Sequence, residues 1–131
     1  FVRRVREITE GEGVPVVYDG VGSATFMGSL DCLQRRGTLA LFGNASGAVD
    51  ALDTGLLAQK GSLFLTRPSL MGYTATRDEL LESANALFQV VGNGSVGISV
   101  NQTYPLREAS QAHRDLEARA TTGSTILLPD A

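Results

Sequence analysis

Cysteine occurs once in the 131 residues, as Cys32. A single cysteine excludes an internal disulfide framework and a multi-cysteine zinc site. Its place in an apolar helical pattern reads as core rather than nucleophile. Histidine also occurs once, as His113. No H-E-x-x-H motif exists, and no neighbour completes a triad with that histidine. No run approaches the roughly 18 apolar residues of a membrane span, and no secretory signal is visible, so a cytoplasmic address is the default. The nucleotide fingerprint G-x-G-x-x-G is missing: Gly20-Val21-Gly22 comes closest, but position 25 is Thr. A P-loop pattern is missing too. There is no basic excess, because the net charge is -3, and this gives no support to nucleic-acid binding. Arg3, Arg4 and Arg6, interleaved with Val2, Val5 and Ile8, read as the wet face of a helix.

What remains is an ordinary soluble composition, 43% hydrophobic and 19% charged, on a length suited to one domain. Glycine is abundant at 15 residues, which implies many tight backbone passages. Apolar periodicity predicts helices over 1–9, from Ser23 or Thr25 to Gly37, over 49–59, over 76–91 and from Pro105 to about 120. The third of these is weakened by Gly55. Thr76 and Glu79 form a capping-box pattern. Short β-branched or apolar runs predict strands over 14–18, 38–42, 62–66, 96–100 and 125–128. The acidic residues Asp78, Glu79 and Glu82 belong to a helix start, where they complement the dipole, rather than to an acid/base dyad.

Strands alternating with helices imply an α/β fold with a parallel sheet. Such sheets bind ligands outside the carboxyl ends of their strands. Three strand ends would then share one edge: residues 19–22, 43–46 and 66–68. Each is glycine-rich, polar or proline-rigid. The stretch "TLALFGNASG" is the clearest case, a strand breaking at Gly43 into small polar residues. Either a ligand approaches the backbone there or the strand simply ends. The residues alone leave both open and name no reaction.

Four stretches carry a resemblance: "VVYDGVG", "SLDCLQRRGTLALFGNASGAV", "QKGSLFLTRPSL" and "YPLREASQAHRDLEARATTGSTILLP". Together they resemble the C-terminal part of the NADPH-dependent quinone oxidoreductases, in the zinc-free, zeta-crystallin-like branch of the medium-chain dehydrogenase/reductase superfamily. The resemblance covers essentially the whole chain. It implies that residues 1–75 are the second half of a Rossmann cofactor-binding domain. Residues 76–131 would pack back toward a GroES-like catalytic domain. The glycine fingerprint and the determinants of the cofactor's 2′-phosphate would lie upstream of Phe1, so that the chain is expected to be part of a longer enzyme and inactive alone. The non-Met start fits that expectation.

Carried over residue by residue, the resemblance implies cofactor contacts at Leu41, Phe42, Gly43, Asn44 and Ser46, at Thr66, Arg67 and Pro68, and at Arg119. Asp19, Val21 and Gly22 are implicated less firmly, along the adenosine side. The bland readings are that Phe42 is core, that Arg67 binds a backbone carbonyl and that Arg119 is a dipole partner at a helix end. The implied cofactor is NADPH, the substrate a quinone, and no metal is needed. No catalytic residue can be named. The implied partner is a second copy, paired through the edge strand 61–68. An enoyl- or acrylate-type C=C reductase on the same fold is an alternative. A non-catalytic dimerisation module and a stand-alone nucleotide-binding module are others.

Overall fold

A computed structural model describes residues 1–129. The chain divides into two units, Phe1–Thr76 and the residues from Arg77 onward. In the first unit, helix α1 (Val2–Ile8) leads to strand β1 (Val14–Asp19), helix α2 (Phe26–Cys32), strand β2 (Leu33–Leu41), helix α3 (Gly55–Gln59), strand β3 (Phe64–Thr66) and the single turn α4 (Leu70–Tyr73). The three strands form a parallel sheet in the order β1-β2-β3, as expected from strands separated by helices.

Register decides which side chains meet. Val17 is level with Leu39 and Leu65, on the face that carries the core of Phe26, Leu30, Leu33, Leu39, Leu41 and Leu63. Leu39 is fully buried. The opposite face presents Val16 and Tyr18, Thr38 and Ala40, Phe64 and Thr66. Here Val16, Tyr18 and Phe64 are exposed. The apolar run 14–18 predicts a buried strand; in the structure Val14 and Val17 are half-buried and Pro15, Val16 and Tyr18 are exposed, because the helices pack on one face of these three strands.

Two element boundaries differ from expectation. Helix α2 ends at Cys32, and Leu33 already has extended geometry (φ -76°, ψ 143°). Residues 34–37 bulge out of β2, with Val14 level with Leu33 and Val16 level with Thr38. Arg36 takes a left-handed φ of 63° in that bulge. Gly37 is therefore not a helix C-terminus; a Cβ there would come within 3.1 Å of the Pro15 carbonyl oxygen. Residues 49–54 are not helical, and α3 is one and a half turns. Arg6 ties α1 to this unit by donating to the carbonyls of Asp31 and Leu33.

The second unit holds helix α5 (Arg77–Gly92), strand β4 (Val100–Pro105), a 3-10 turn (Leu106–Glu108), helix α6 (Ala109–Glu117) and strand β5 (Ser124–Leu128). β4 and β5 pair in parallel. The strand expected at 96–100 begins only at Val100, since 92–99 is too rich in glycine and turn formers to pair. Pro105 closes that strand and is also the N-cap of the 3-10 turn that leads into α6. The apolar stripe of α5 is largely exposed, Leu80, Leu81, Leu87 and Phe88 included.

Candidate functional site

The carboxyl ends of the three parallel strands lie side by side. Asp19 is level with Leu41, and Ala40 with Thr66. The segments that follow, 20–22, 42–46 and 67–68, therefore share one edge of the first unit. This is the edge at which open α/β sheets hold ligands. An open depression of about 660 Å³ runs over the exposed face of the sheet, floored by Tyr18, Ala40 and Phe42 and bounded by Thr66, Pro68 and Tyr73.

Gly43 is small for a reason the sequence does not reveal. A Cβ there would overlap backbone atoms of Gly20. Gly22, at φ +91°, would push a Cβ to 2.5 Å from the Gly47 carbonyl oxygen. The close approach is thus between two loops of the chain itself. They are laced together: Ser46 N donates to Val21 O at 2.7 Å, and Ser23 N donates to Gly47 O at 3.1 Å. The Ser46 hydroxyl donates to Val21 O and accepts from Ala24 N. Phe42 is not core; it is exposed, and its ring lies over Gly20, 3.1 Å from where a Cβ would stand.

Asp19 is the organising group of this edge, and it is only 4% exposed. Its Oδ1 accepts from Val21 N at 2.8 Å, Gly22 N at 3.0 Å and Thr25 Oγ1 at 2.9 Å. Its Oδ2 accepts from Thr25 Oγ1 at 2.8 Å and Ser29 Oγ at 2.7 Å. Thr25 is the N-cap residue of α2 but makes no side-chain cap bond; its hydroxyl goes to Asp19 instead. Burial alone would raise the Asp19 pKa, but the Gly22, Ser29, Thr25 and Val21 donors outweigh it and hold it below the usual 3.8. Asp19 is thus an anion already satisfied from within. The readable signal was Thr25 and Ser29, four residues apart on one helix face, after an acidic strand end.

The remaining candidates differ in what they offer. The side chains of Asn44 and Thr66 are exposed and make no hydrogen bond among the described residues. Arg67 Nη1 donates to Leu41 O at 2.7 Å, so this guanidinium bridges the ends of β3 and β2. Leu41 is buried and reaches the edge only through its backbone. The edge thus combines apolar ring surface, unspent polar side chains and one cation. An apolar floor with a few polar groups at its margin is the usual lining of a small-molecule site.

Arg119 lies in the second unit, exposed, just past α6, at a left-handed φ of 57°. His113 is exposed and borders a cavity of about 170 Å³ with Ala112, Leu116, Thr125 and Leu127. Tyr104 OH donates to Asp115 at 2.7 Å, which raises its pKa above the usual 10.0. Cys32 is buried, and burial pushes its thiol up, away from nucleophilic use. Among the described residues no three His, Cys, Asp or Glu side chains gather as a metal requires. No described helix is long and apolar enough to cross a membrane.

The family described as zinc-binding dehydrogenase matches residues 1–127. Quinone oxidoreductase 1 of Escherichia coli is 54% identical over 131 residues, covering 98% of this chain and 40% of that protein. A 2-haloacrylate reductase of a Burkholderia species is 47% identical over 135 residues, covering 100% of this chain and 40% of that protein. The crystal structure of Escherichia coli quinone oxidoreductase complexed with NADPH superimposes with a TM-score of 0.87 at 52% identity, covering 97% of this chain and 40% of that one. The chain thus spans about two fifths of the length of these relatives, and it corresponds to their C-terminal Rossmann-like part.

Proposed function

The chain belongs to the zinc-binding dehydrogenase family, and from that premise we propose that it forms part of the cofactor site of an NADPH-dependent quinone reductase. The observation that carries this reading is the coincidence of two things. Three parallel strand ends converge on an open edge with an apolar floor. A protein with the same fold and 52% identity was crystallised with NADPH. When bound, the dinucleotide supplies the hydride. This chain's residues bind and orient it.

In this reading the Phe42 ring and Pro68 offer apolar surface to the nicotinamide half, with Gly43 and the Leu41 backbone beneath. Asn44, Ser46 and Thr66 offer hydrogen bonds, and Arg67 and Arg119 offer charge to the phosphates. Val21 and Gly22 follow along the adenosine side. The family's description names zinc; the role proposed for these residues is to bind and orient the dinucleotide, and it uses no metal. The proposed setting is the cytoplasm, in keeping with a single buried cysteine. The proposed partner is a second copy, joined through the β3 edge over 61–68. A second reading is favoured by the 2-haloacrylate reductase relative: reduction of an activated C=C bond on the same site.

The test uses the protein as its gene encodes it. NADPH oxidation is measured against a panel of quinones and activated alkenes. Turnover of quinones well above alkenes is expected; the reverse selects the second reading, and turnover of neither overturns both. Arg119→Ala is expected to raise the KM for NADPH about tenfold, the effect of losing one charge-assisted contact. Residues 1–131 alone, lacking the phosphate-binding glycine turn, are expected to bind NADPH only weakly; micromolar affinity by calorimetry would refute this.

A further inference from the structure

Two loops meet at the candidate edge, and one residue is bonded to both. The Asp19 carboxylate holds the turn 20–22 and the start of α2 through five hydrogen bonds, from Val21 N, Gly22 N, Thr25 Oγ1 to both oxygens, and Ser29 Oγ. The Asp19 carbonyl oxygen meanwhile accepts from Phe42 N at 2.9 Å and Gly43 N at 3.2 Å. Turning the Asp19 backbone would therefore move the first residues of the 42–46 loop. The next two carbonyls extend the same lacing, with Gly20 O accepting from Ala45 N and Val21 O from Ser46 N.

We propose that Asp19 is a positioning residue: by fixing the 20–22 turn with its carboxylate and Phe42 and Gly43 with its carbonyl, it sets the place of the 42–46 loop against the cofactor. This rests on the reading of the edge as an NADPH site. It assigns Asp19 no contact with the cofactor, since its two oxygens already accept five hydrogen bonds and it is almost wholly buried. Acceptor geometry is what the role requires. Val21 and Gly22 offer backbone N–H groups, which can only donate. The Thr25 and Ser29 hydroxyls can turn to accept instead. An asparagine can therefore serve in the same place, with its oxygen toward the two amides and its NH2 toward the two hydroxyls. An alanine leaves two amides and the Ser29 hydroxyl without their acceptor, and leaves the Thr25 hydroxyl only the Gly22 carbonyl at 3.3 Å.

The experiment compares Asp19→Ala and Asp19→Asn with the wild-type protein as its gene encodes it. Asp19→Ala is expected to raise the Kd and KM for NADPH by about tenfold. It should leave kcat at saturating NADPH within about twofold, because no reacting atom is touched. Amide exchange at Phe42, Gly43 and Ser46 should quicken in the same variant. Asp19→Asn should stay within about threefold of wild type in Kd, a rescue that loss of bulk or charge would not give. A folded Asp19→Ala protein with wild-type Kd and wild-type exchange overturns the proposal, as does an Asn variant no better than Ala.

If Asp19→Ala does not fold, the Thr25→Val/Ser29→Ala pair replaces it. That pair leaves the carboxylate only two amides and should raise Kd about threefold or more; unchanged Kd overturns the proposal. Wild-type protein that binds no NADPH overturns the cofactor reading instead. The exchange rates at Phe42, Gly43 and Ser46 then still decide whether Asp19 sets the loop.

Discussion

Gly43 is confined by a neighbour's backbone rather than by its own torsion angles. Any Cβ there overlaps Gly20, and Gly20 in turn lies under the Phe42 ring, so neither partner has room to retreat. Gly43→Ala must push the two loops apart and strain the bonds from Phe42 N and Gly43 N to the Asp19 carbonyl. The expected cost is about 2–3 kcal/mol, at the upper end for forced overpacking, read as a fall in the denaturation midpoint with unchanged slope. Gly47→Ala serves as the contrast. A Cβ there would meet only the Ser23 Cβ, at 3.9 Å, so its cost comes from its φ of 111° alone. A Gly43→Ala protein as stable as wild type would mean that the loops are not in contact. At position 43 the sequence offered either a ligand's close approach or a plain strand end, and the structure shows another loop of the chain instead. What approaches it was not legible, because a glycine at a strand end reads the same whether a ligand or another loop presses on it.

At the scale of elements, β2 carries the fold of the first unit. Leu39 has no exposure and Leu41 little, and both face Phe26 and Leu30 of α2 across the core. Leu39→Ala is expected to lose about 2–5 kcal/mol, the range for truncating a fully buried leucine, with a matching drop in Tm. A loss below about 1 kcal/mol would mean that the site collapses or that the core is looser than described. The order of elements through β3 followed from apolar runs and turn residues, since each strand is short and bounded by Gly, Asp or Pro. Their ends did not. Leu33 continues the helical spacing of Phe26 and Leu30, so period alone cannot tell that the chain is already extended there. The parallel pairing of Leu33 with Val14, a long-range contact, decides it. Likewise Pro105 suits a helix start and a strand end equally, and it is both, level with Leu128 of β5 and the N-cap of the 3-10 turn. The convergence of the three strand ends was legible, because parallel strands require it. The inward turn of Asp19 was not, since an acid at a strand end faces a ligand and a helix N-terminus with the same letter.

At the scale of the whole molecule, β3 is an edge strand of only three residues. Its inner neighbours Leu63 and Leu65 are buried and half-buried, while Phe64 is 58% exposed. A short edge is one way chains avoid unwanted pairing, but an exposed aromatic on that edge invites it. The proposed dimer joins two such edges across a two-fold axis, with the two β3 strands running antiparallel, continuing the sheet and covering Phe64 with its mate. The proposal therefore predicts a dimer by light scattering at micromolar concentration, for the protein as its gene encodes it. Phe64→Lys places a charge on the edge without entering the core, because Phe64 shares its face with Thr38 rather than with Leu39. It should yield a monomer whose core remains folded, seen as a halved mass with unchanged far-UV dichroism. A wild-type protein that is monomeric at high concentration removes the dimer. A Phe64→Lys protein that stays dimeric moves the interface away from β3.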